Sequence, residues 1–348
     1  MAVTVATATD PTGQCSAADQ EWVVCDLCGA DEAETVWTRG RFQTPLRNVV
    51  CRQCGLVYVN PRMSTPRYQR FYLEEYRAKY GKPIEPTPQF RQAERRRAAA
   101  LLDFIGPAVS EGGRVLELGC RTGDVLNALK TAKRCEVYGV EPDHTLATFA
   151  SHTLGLSVTR GLFEWVDYPE AFFDVVILCH VLEHCYSPIA VLQKIRRILK
   201  PGGTVYVEVP NIETPYGSLS FYFQNAHPYS FSPRTLTRVV QKAGFTILKH
   251  EPYPPAVRVL CVPAQTEQRM GESLVDEAQL RIRALREYQR GYWWTGRWIS
   301  DVLQDSVASV RRNLRAGLHG IVGVERTEQL LRRLRLTPAE RVLKPMSR

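Results

Sequence analysis

Short β-branched and apolar runs alternate with amphipathic segments between residues 114 and 262, and this alternation constrains the fold more than any other feature. Strands in this order, with helices between most of them, are typical of an α/β protein with a doubly wound parallel sheet. The last two runs have no helix between them, so we expect them to form a hairpin at one edge. The predicted strands are residues 114–118, 137–140, 173–178, 204–209, 246–250 and 257–262.

Helical segments are indicated at three other places in the chain. Residues 89–105 have a helical pattern, and Ser232 followed by Pro233 is a favourable helix start. Apolar residues from Ile189 to Leu199 recur at helical spacing, and the Lys-Pro-Gly-Gly segment 200–203 ends that pattern. These segments supply the connections that a parallel sheet needs.

Length and composition narrow the class of protein. The chain has 348 residues, of which 44% are hydrophobic and 23% charged, so we expect a folded protein of two or three units. No apolar stretch approaches 18 residues, which argues against a membrane-spanning helix. Residues 1–15 lack the basic start and apolar core of a secretory signal, so we expect a cytoplasmic location.

The net charge of +9 is unevenly distributed. Residues 265–348 contain 16 basic and 10 acidic residues, and apolar residues at helical spacing run from Ile299 to Ile321. Three interpretations remain open for this basic helical region. It is a helical cap or homodimer element, an interfacial helix that docks on anionic lipid, or a nucleic-acid-binding element. Because the remainder of the chain is nearly neutral, we expect nucleic acid not to be a partner.

Four cysteines form two matching pairs, Cys25 with Cys28 and Cys51 with Cys54, separated by 22 residues. Two residues between thiolates place both sulfurs on one side of a tight turn, and a glycine follows each pair. Four thiolates suit Zn²⁺ in a closed, structural site. A redox pair and an iron or iron–sulfur site use the same residues and remain alternatives.

A glycine-bearing turn follows the first predicted strand of the sheet. Glu117 ends that strand, and Gly119 and Gly123 lie in the turn, whereas a dinucleotide fingerprint needs three glycines. A carboxylate at the strand tip repels a pyrophosphate and attracts a cation. Glu141 ends the second strand and is suited to a ribose diol. One acid for a cation and one for a ribose favour S-adenosylmethionine over NAD or ATP.

These motifs resemble those of class I S-adenosylmethionine-dependent methyltransferases. The matching segments are residues 117–123 (Glu-Leu-Gly-Cys-Arg-Thr-Gly), 141–142 (Glu-Pro), 173–178 (Phe-Asp-Val-Val-Ile-Leu) and 199–203 (Leu-Lys-Pro-Gly-Gly). The cysteine pairs followed by residues 55–61 resemble the N-terminal zinc domain of a subgroup that includes sugar C-methyltransferases and methyltransferases of glycan biosynthesis clusters. The resemblance implies that the cofactor is bound by Glu117, Gly119 and Gly123, by Glu141 at the ribose, by Phe163 near the adenine, and by His180.

One position departs from the pattern of the family. Arg121 lies where related loops have glycine or another small residue. A cation beside a sulfonium is unfavourable unless it points to solvent or pairs with Glu117 or Asp124. We expect the Arg121 side chain to turn outward, and a chain unable to do so would be a catalytically impaired binding module.

Two histidines and a tyrosine are the predicted catalytic residues. His184 belongs to an H-x-x-E-H string that follows a buried strand, and the subgroup commonly has a similar Leu-Glu-His. That string also matches an inverted zinc-protease motif, which would need a helix. His227 precedes a predicted helix start, but Ala226 stands where sugar C-methyltransferases have glutamate. This difference favours a hydroxyl acceptor over a carbon acceptor. Tyr76 resembles a tyrosine of the lid segment in the subgroup.

The predicted organisation is a zinc-binding domain (1–61), a helical lid or linker (62–112), an S-adenosylmethionine-binding domain (113–264) and a basic helical region (265–348). The expected function is methyl transfer to a hydroxyl of a sugar, nucleotide sugar or glycan. Alternatives are sugar C-methylation, rRNA or tRNA methylation, and the impaired binding module. Peripheral membrane contact through the basic region is a further expectation.

Overall fold

The computed structural model describes residues 19–80, 86–215, 217–265 and 275–294. The chain divides into two compact units, residues 1–290 and 291–348. The apolar pattern predicted between Ile299 and Ile321 lies outside the described residues. Within the described parts, no helix has the length and apolar character needed to cross a membrane.

The N-terminal part of the first unit is built from short antiparallel strands. They are β1 (Gln20–Glu21), β2 (Ala33–Arg39), β3 (Pro45–Cys51), β4 (Val57–Val59) and β5 (Arg62–Met63). Strands β2, β3 and β4 form one sheet, and β1 pairs with β5 separately. The tight turns before β2 and after β3 contain the four cysteines.

Helical segments connect this part to the large sheet. They are α1 (Thr65–Arg70), a π-helical turn (Phe71–Glu75), α2 (Tyr76–Lys79) and α3 (Pro88–Ile105). The predicted helix at 89–105 is confirmed as α3. Its first turn is stabilised because the Thr87 side chain accepts a hydrogen bond from the Phe90 amide and proline occupies the first helical position.

The rest of the described chain forms a seven-stranded sheet with flanking helices. The elements of this part are β6 (Arg114–Leu118), α4 (Asp124–Lys133), β7 (Glu136–Glu141), α5 (His144–Thr148), β8 (Ser157–Arg160), β9 (Phe173–Cys179), α6 (Pro188–Ile198), β10 (Leu199–Pro210), α7 (Leu219–Tyr222), β11 (Tyr229–Ser230), α8 (Pro233–Lys242), β12 (Phe245–Tyr253), β13 (Ala256–Pro263) and α9 (Val275–Trp294). Strand β11 lies in this part of the chain but pairs with the small sheet.

The strand order confirms the predicted doubly wound α/β sheet. The order is β12-β13-β10-β9-β6-β7-β8, and the strands from β6 to β10 in this sheet are parallel. The last two strands form the expected antiparallel hairpin at one edge. The chain reverses its direction of winding between β6 and β9, and ligands of such sheets bind outside the carboxyl ends of the strands at that point.

Two details of the sheet differ from the prediction. Helix α6 ends at Ile198, and Leu199 begins β10, where it pairs with Phe173. The predicted helical position of Leu199 was therefore wrong, because the residues just before Pro201 are driven towards extended backbone. Strand β8 was missed because Ser157–Arg160 contains a single apolar residue and no alternation.

The small and large sheets are tied together by one late strand. Strand β11 pairs with β4, with Tyr229 opposite Tyr58, so residues after α7 complete the N-terminal sheet. The two sheets also share one buried apolar cluster that includes Leu56, Tyr58 and Phe231. The segment before β11 is thereby held against both parts of the first unit.

Candidate active site

A cavity of about 480 Å³ lies at the carboxyl ends of the parallel strands. Residues at the ends of β6, β7, β9 and β10 line it, together with side chains from α2 and α3. This size is within the range of small-molecule binding sites. The cavity is at the position where doubly wound sheets bind their ligands.

Two glycines shape the loop between β6 and α4. Gly119 has φ +61°, and a Cβ atom there would lie 2.8 Å from Val181 Cγ2. Gly123 has φ +73°, and a Cβ atom would lie 2.5 Å from Leu156 Cδ1. Both positions therefore need glycine for the left-handed backbone and for close packing. The loop passes close to the cavity because no side chain intervenes at Gly119.

Glu141 ends β7 with its carboxyl group held by the backbone. One oxygen accepts a hydrogen bond from the Arg121 amide and the other from the Asp143 amide, both at 2.9 Å. Burial raises the pKa of Glu141 above its ordinary value, against these amide hydrogen bonds. A carboxylate has about four acceptor sites, so each oxygen can still accept a second hydrogen bond from a diol.

Four charged side chains form a network beneath the glycine loop. Glu94 of α3 lies 2.8 Å from Arg121 Nη1 and 3.2 Å from Arg97 Nε, and Arg97 Nη2 lies 3.3 Å from Glu117 Oε1. Glu117 is fully buried, and burial raises its pKa to about 8 despite Arg97. Its Oε2 atom has no hydrogen-bond partner in the part of the chain that the structure describes.

Arg121 is accommodated differently from the expectation. Its guanidinium pairs with Glu94 and lies 4.9 Å from the Phe90 ring centroid, whereas Asp124 pairs with Arg91 at 2.8 Å. Arg121 therefore lines the cavity instead of turning outward, and its partner is neither Glu117 nor Asp124. The reason is that α3, whose position the sequence does not disclose, packs over the loop. Arg121 has φ +52°, the backbone conformation that favours the glycine of related loops.

His180 follows β9 and faces two acidic side chains. Its Nδ1 lies 3.5 Å from Glu183 Oε1, and its Nε2 lies 3.2 Å from Glu208 Oε1. Partial burial lowers the pKa of His180, but the two nearby carboxyl groups of Glu183 and Glu208 outweigh it and raise that pKa to about 9. His180 therefore carries a positive charge at neutral pH and lines the cavity.

His184 lies in a short 3₁₀ turn (Leu182–His184), so the protease motif has no helix. Its Nδ1 lies 2.6 Å from the Ala226 carbonyl oxygen and 3.0 Å from the Tyr72 hydroxyl. A carbonyl can only accept, so Nδ1 bears the proton and the basic lone pair of neutral His184 is on Nε2. Glu183 Oε1 lies 4.0 Å from that Nε2.

Glu183 is nearly fully buried, yet neither of its oxygens is hydrogen-bonded to a described residue. It lines the cavity between His180 and His184. A buried carboxyl group without hydrogen bonds is costly to the fold, so its retention points to a role in the site.

His227 packs against His184 at the same end of the cavity. The two imidazole rings are 4.6 Å apart between centroids and meet edge to face. The Gln224 amide nitrogen lies 2.9 Å from His227 Nε2 and 3.2 Å from its Nδ1, and since an amide NH₂ only donates, one of the two ring nitrogens accepts from it. Tyr76 adds a ring 5.8 Å from His184.

The structure brings most of the predicted site residues to one cavity. Those that line it are Gly119, Glu141, Phe163, His180, His184, His227 and Tyr76. Glu117 and Gly123 do not line it: Glu117 turns towards Arg97, and Gly123 packs against Ala150 and Leu156. The roles assigned to all of these residues stay predictions.

Sequence reasoning missed several residues that line or support the cavity. Glu94 and Arg97 come from a helix that was taken as a lid or linker, and Gln224 and Glu208 come from segments without a motif. The spacing of three between Glu94 and Arg97, on a helix rich in arginine, was the one available signal.

The four cysteines converge in the N-terminal part. All four sulfurs lie within 4.8 Å of one another, with Cys25 Sγ 3.5 Å from Cys54 Sγ and Cys28 Sγ 3.4 Å from Cys51 Sγ. Tetrahedral ligands at about 2.3 Å from Zn²⁺ are about 3.8 Å apart, so these thiols fit such an ion closely. They are too far apart for disulfide bonds, which need about 2.05 Å.

Comparison with known proteins agrees with this geometry. Residues 90–250 match the family profile of a methyltransferase domain. A human thiol S-methyltransferase is 26% identical over 194 residues, which are 51% of this chain and 78% of that protein. A ubiquinone biosynthesis O-methyltransferase of Neisseria meningitidis is 27% identical over 42% of this chain and 69% of its own.

Other similarities are more distant or cover less. A methyltransferase of Schizosaccharomyces pombe is 31% identical, but the match covers 28% of this chain and 40% of that protein. A crystal structure of a methyltransferase from Aquifex aeolicus is 17% identical, covers 47% of this chain and 88% of its own, and has a TM-score of 0.40. Residues 90–250 therefore match a methyltransferase domain, and the Rossmann-like sheet together with the curated relatives supports S-adenosylmethionine-dependent methyl transfer.

Proposed function

We propose that the protein transfers a methyl group from S-adenosylmethionine to a hydroxyl group of a sugar or glycan. The observation that carries this proposal is the pair of imidazoles, His184 and His227, 4.6 Å apart in the cavity beside the buried carboxyl group of Glu183. A hydroxyl acceptor must lose a proton as the methyl group transfers, and a histidine held in the correct tautomer suits that step.

The residues at the strand ends fit the cofactor. Gly119 leaves room for close approach, Glu141 presents carboxylate oxygens for a ribose diol, and Phe163 lines the same end of the cavity. The positive charge of Arg121 is balanced by Glu94, so it does not oppose a sulfonium. When bound, S-adenosylmethionine supplies a methyl group already activated for in-line displacement.

His184 is the base that the geometry favours. Its Nδ1 is bound to the Ala226 carbonyl, so Nε2 takes the proton of the acceptor. The carboxylate of Glu183, 4.0 Å away, stabilises the imidazolium that forms. His227 instead accepts from Gln224 at a ring nitrogen, which suits it to orient the acceptor and pack against His184.

The acceptor end of the cavity supports a sugar-sized polar acceptor. The rings of Tyr72, Tyr76 and Tyr80 form one wall, and the histidines and Gln224 form another. Aromatic faces with a few convergent polar groups are typical of sites that fix a polar ligand in one orientation. Ala226 provides only its carbonyl oxygen, so the acid that would support a carbon acceptor there is missing.

The four thiols support structural zinc as part of this proposal. Four thiolates would fill all four positions of a tetrahedral Zn²⁺ site, so the ion would have no open position for substrate. Zinc would hold the two tight turns together and stabilise the small sheet that β11 completes.

Methyl transfer from labelled S-adenosylmethionine into extracts of the host tests the function. We expect label in a carbohydrate fraction, released by cleavage of methyl ethers. Label that resists ether cleavage would indicate carbon methylation, and label in RNA or protein would overturn the proposal. His184→Ala and Glu183→Gln should lower kcat by about 10²-fold or more with smaller changes in KM. The matched control is His250→Ala. His250 is an exposed residue of β12, so this substitution should leave turnover unchanged.

A further inference from the structure

Arg41 enters the cavity from the N-terminal part of the first unit. It lies in a short 3₁₀ turn (Arg41–Gln43) between β2 and β3, and its amide donates to the Phe223 carbonyl oxygen at 2.7 Å. Its side chain lines the same cavity as His184 and His227. The sequence motifs did not single out this residue.

The guanidinium of Arg41 is surrounded by aromatic rings. Its Cζ atom lies 4.2 Å from the Phe221 ring centroid, 5.6 Å from that of Phe42 and 5.8 Å from that of Tyr80. Its Nε atom is buried and lacks a hydrogen-bond partner among the described residues. Stacking on rings orients the planar fork while leaving its N–H groups for another partner.

The other arginines of the cavity are paired with acids. Arg77 lies 3.5 Å from Asp143, Arg97 lies 3.3 Å from Glu117, and Arg121 lies 2.8 Å from Glu94. Within the described ranges, no carboxylate lies within ion-pair distance of Arg41. A cation that is held by aromatic rings and left without an acid is suited to bind an anion from outside the chain.

The backbone that presents Arg41 is strained. Phe42 and Gln43 both have left-handed φ angles, +63° and +58°, at consecutive positions that lack glycine. Such conformations persist where the surrounding structure requires them, often at ligand-binding positions. Here they directly follow Arg41, whose guanidinium lies 4.2 Å from the Phe221 ring centroid.

We propose that Arg41 binds an anionic oxygen group, a phosphate or a carboxylate, on the acceptor. This inference rests on the proposed function and narrows its acceptor to an anionic one. Tyr80 contacts Arg41 and Tyr76, and Tyr76 contacts His184, so two tyrosine rings separate the guanidinium from the imidazoles. The acceptor therefore carries its anionic group at a distance from the hydroxyl that is methylated.

Binding of small anions to the full chain tests this inference. Inorganic pyrophosphate and D-glucuronate are titrated by calorimetry at low salt, with S-adenosylhomocysteine present to occupy the cofactor end. We expect at least one of them to bind. Arg41→Gln should weaken that binding about tenfold or more, and Arg41→Lys should weaken it less, because lysine keeps the charge but loses the planar fork.

The matched control is Arg39→Gln, an exposed arginine at the end of β2 that donates to Gln43 and does not line the cavity. It should bind the anion as the wild type does. Pyrophosphate binding alone indicates a phosphate acceptor, and glucuronate binding alone a carboxylate acceptor. Equal binding by wild type and Arg41→Gln, or binding of neither anion to wild type, would overturn the inference. Binding of S-adenosylmethionine to the wild type, titrated separately, reports on the methyltransferase itself.

Discussion

The cysteine cluster and the cavity both gather ionisable side chains, but they are assembled in opposite ways. Cys25 and Cys28 come from one turn and Cys51 and Cys54 from another, and all four sulfurs point to one place. The acids and bases of the cavity come from separate elements and pair with one another along its wall, as Glu94 does with Arg121. The first arrangement has the donor set of a site for one metal ion, whereas the second leaves a cavity between charged groups.

This difference has a physical consequence. Loss of one thiol would remove a ligand that nothing else replaces, so its effect falls on the stability of the N-terminal part. Loss of one charge in the cavity leaves its former partner buried and unpaired, so its effect falls on both stability and ligand binding. Variants of the cysteines should therefore mainly lower stability, whereas variants of the charged residues at the cavity should lower both stability and ligand affinity.

Removal of a thiol should have the largest effect. We expect the wild type to contain one zinc ion per chain, and Cys54→Ala to lose it and to be destabilised by at least about 3 kcal/mol. Atomic absorption and thermal unfolding measure the two quantities. Because β4 pairs with β11, which follows His227, methyl transfer should also fall. Cys135→Ala changes a buried cysteine outside the cluster and should keep the metal. A wild-type protein that is purified without metal and is stable in chelator would show that the four cysteines do not hold a stabilising metal ion.

Glu94→Gln should have the next largest effect and should lower both the stability of the protein and its affinity for the cofactor. The substitution leaves Arg121 without its partner and Arg97 with one acid fewer, so we expect a loss of about 3 kcal/mol in the free energy of unfolding. Affinity for S-adenosylmethionine should fall about tenfold, because an unpaired cation then lines the cofactor cavity. Calorimetry measures this affinity.

The partner substitution supplies the control for Glu94→Gln. Arg121→Gly removes the cation and suits the left-handed backbone at that position, so adding it to Glu94→Gln should restore part of the affinity. If the double variant binds as weakly as Glu94→Gln alone, the charge of Arg121 is not the cause.

What the sequence predicts correctly is local in both regions. The cysteine pairs, the glycine loop and the six strands are each specified within a few residues, and all of them appear in the structure. The network beneath the loop was not predictable, because Glu94 lies 27 positions before Arg121 and nothing in the sequence shows that α3 packs there. Arg41 escaped prediction for the same reason, since its aromatic neighbour Phe221 is 180 positions away.

Gly119→Ala should have a smaller effect, confined to the cavity. Its Cβ atom would lie 2.8 Å from Val181 Cγ2 at a φ of +61°, so we expect a loss of about 1–3 kcal/mol and weaker cofactor binding. Gly112→Ala is the matched control, because Gly112 has φ +69° but nothing within 4 Å of its Cβ position. Gly112→Ala therefore introduces the same backbone strain as Gly119→Ala but no close contact with another side chain. Equal losses in the two variants would show that the contact with Val181 does not matter.

The smallest expected effect is a dependence of stability on pH that comes from His180. Its pKa in the folded state, about 9, is above the ordinary value of about 6.5, because Glu183 and Glu208 favour the charged form. This contribution is complete below pH 6.5 and is lost as the pH rises through 9. The difference in unfolding free energy between wild type and His180→Asn should therefore shrink over this window. Asparagine tolerates the left-handed backbone of this position.

This effect of His180 should be small and should involve the cavity but not the cysteine cluster. We expect less than about 2 kcal/mol, because the His180 side chain is 45% exposed and solvent screens its charge. Glu208→Gln removes one of the two acids and should reduce the change with pH, whereas zinc content should stay constant from pH 6.5 to 9. A wild-type minus His180→Asn difference that does not change with pH would mean that the carboxyl groups do not hold the proton on His180. The cavity would then be tuned by the network of Glu94 and Glu117 alone.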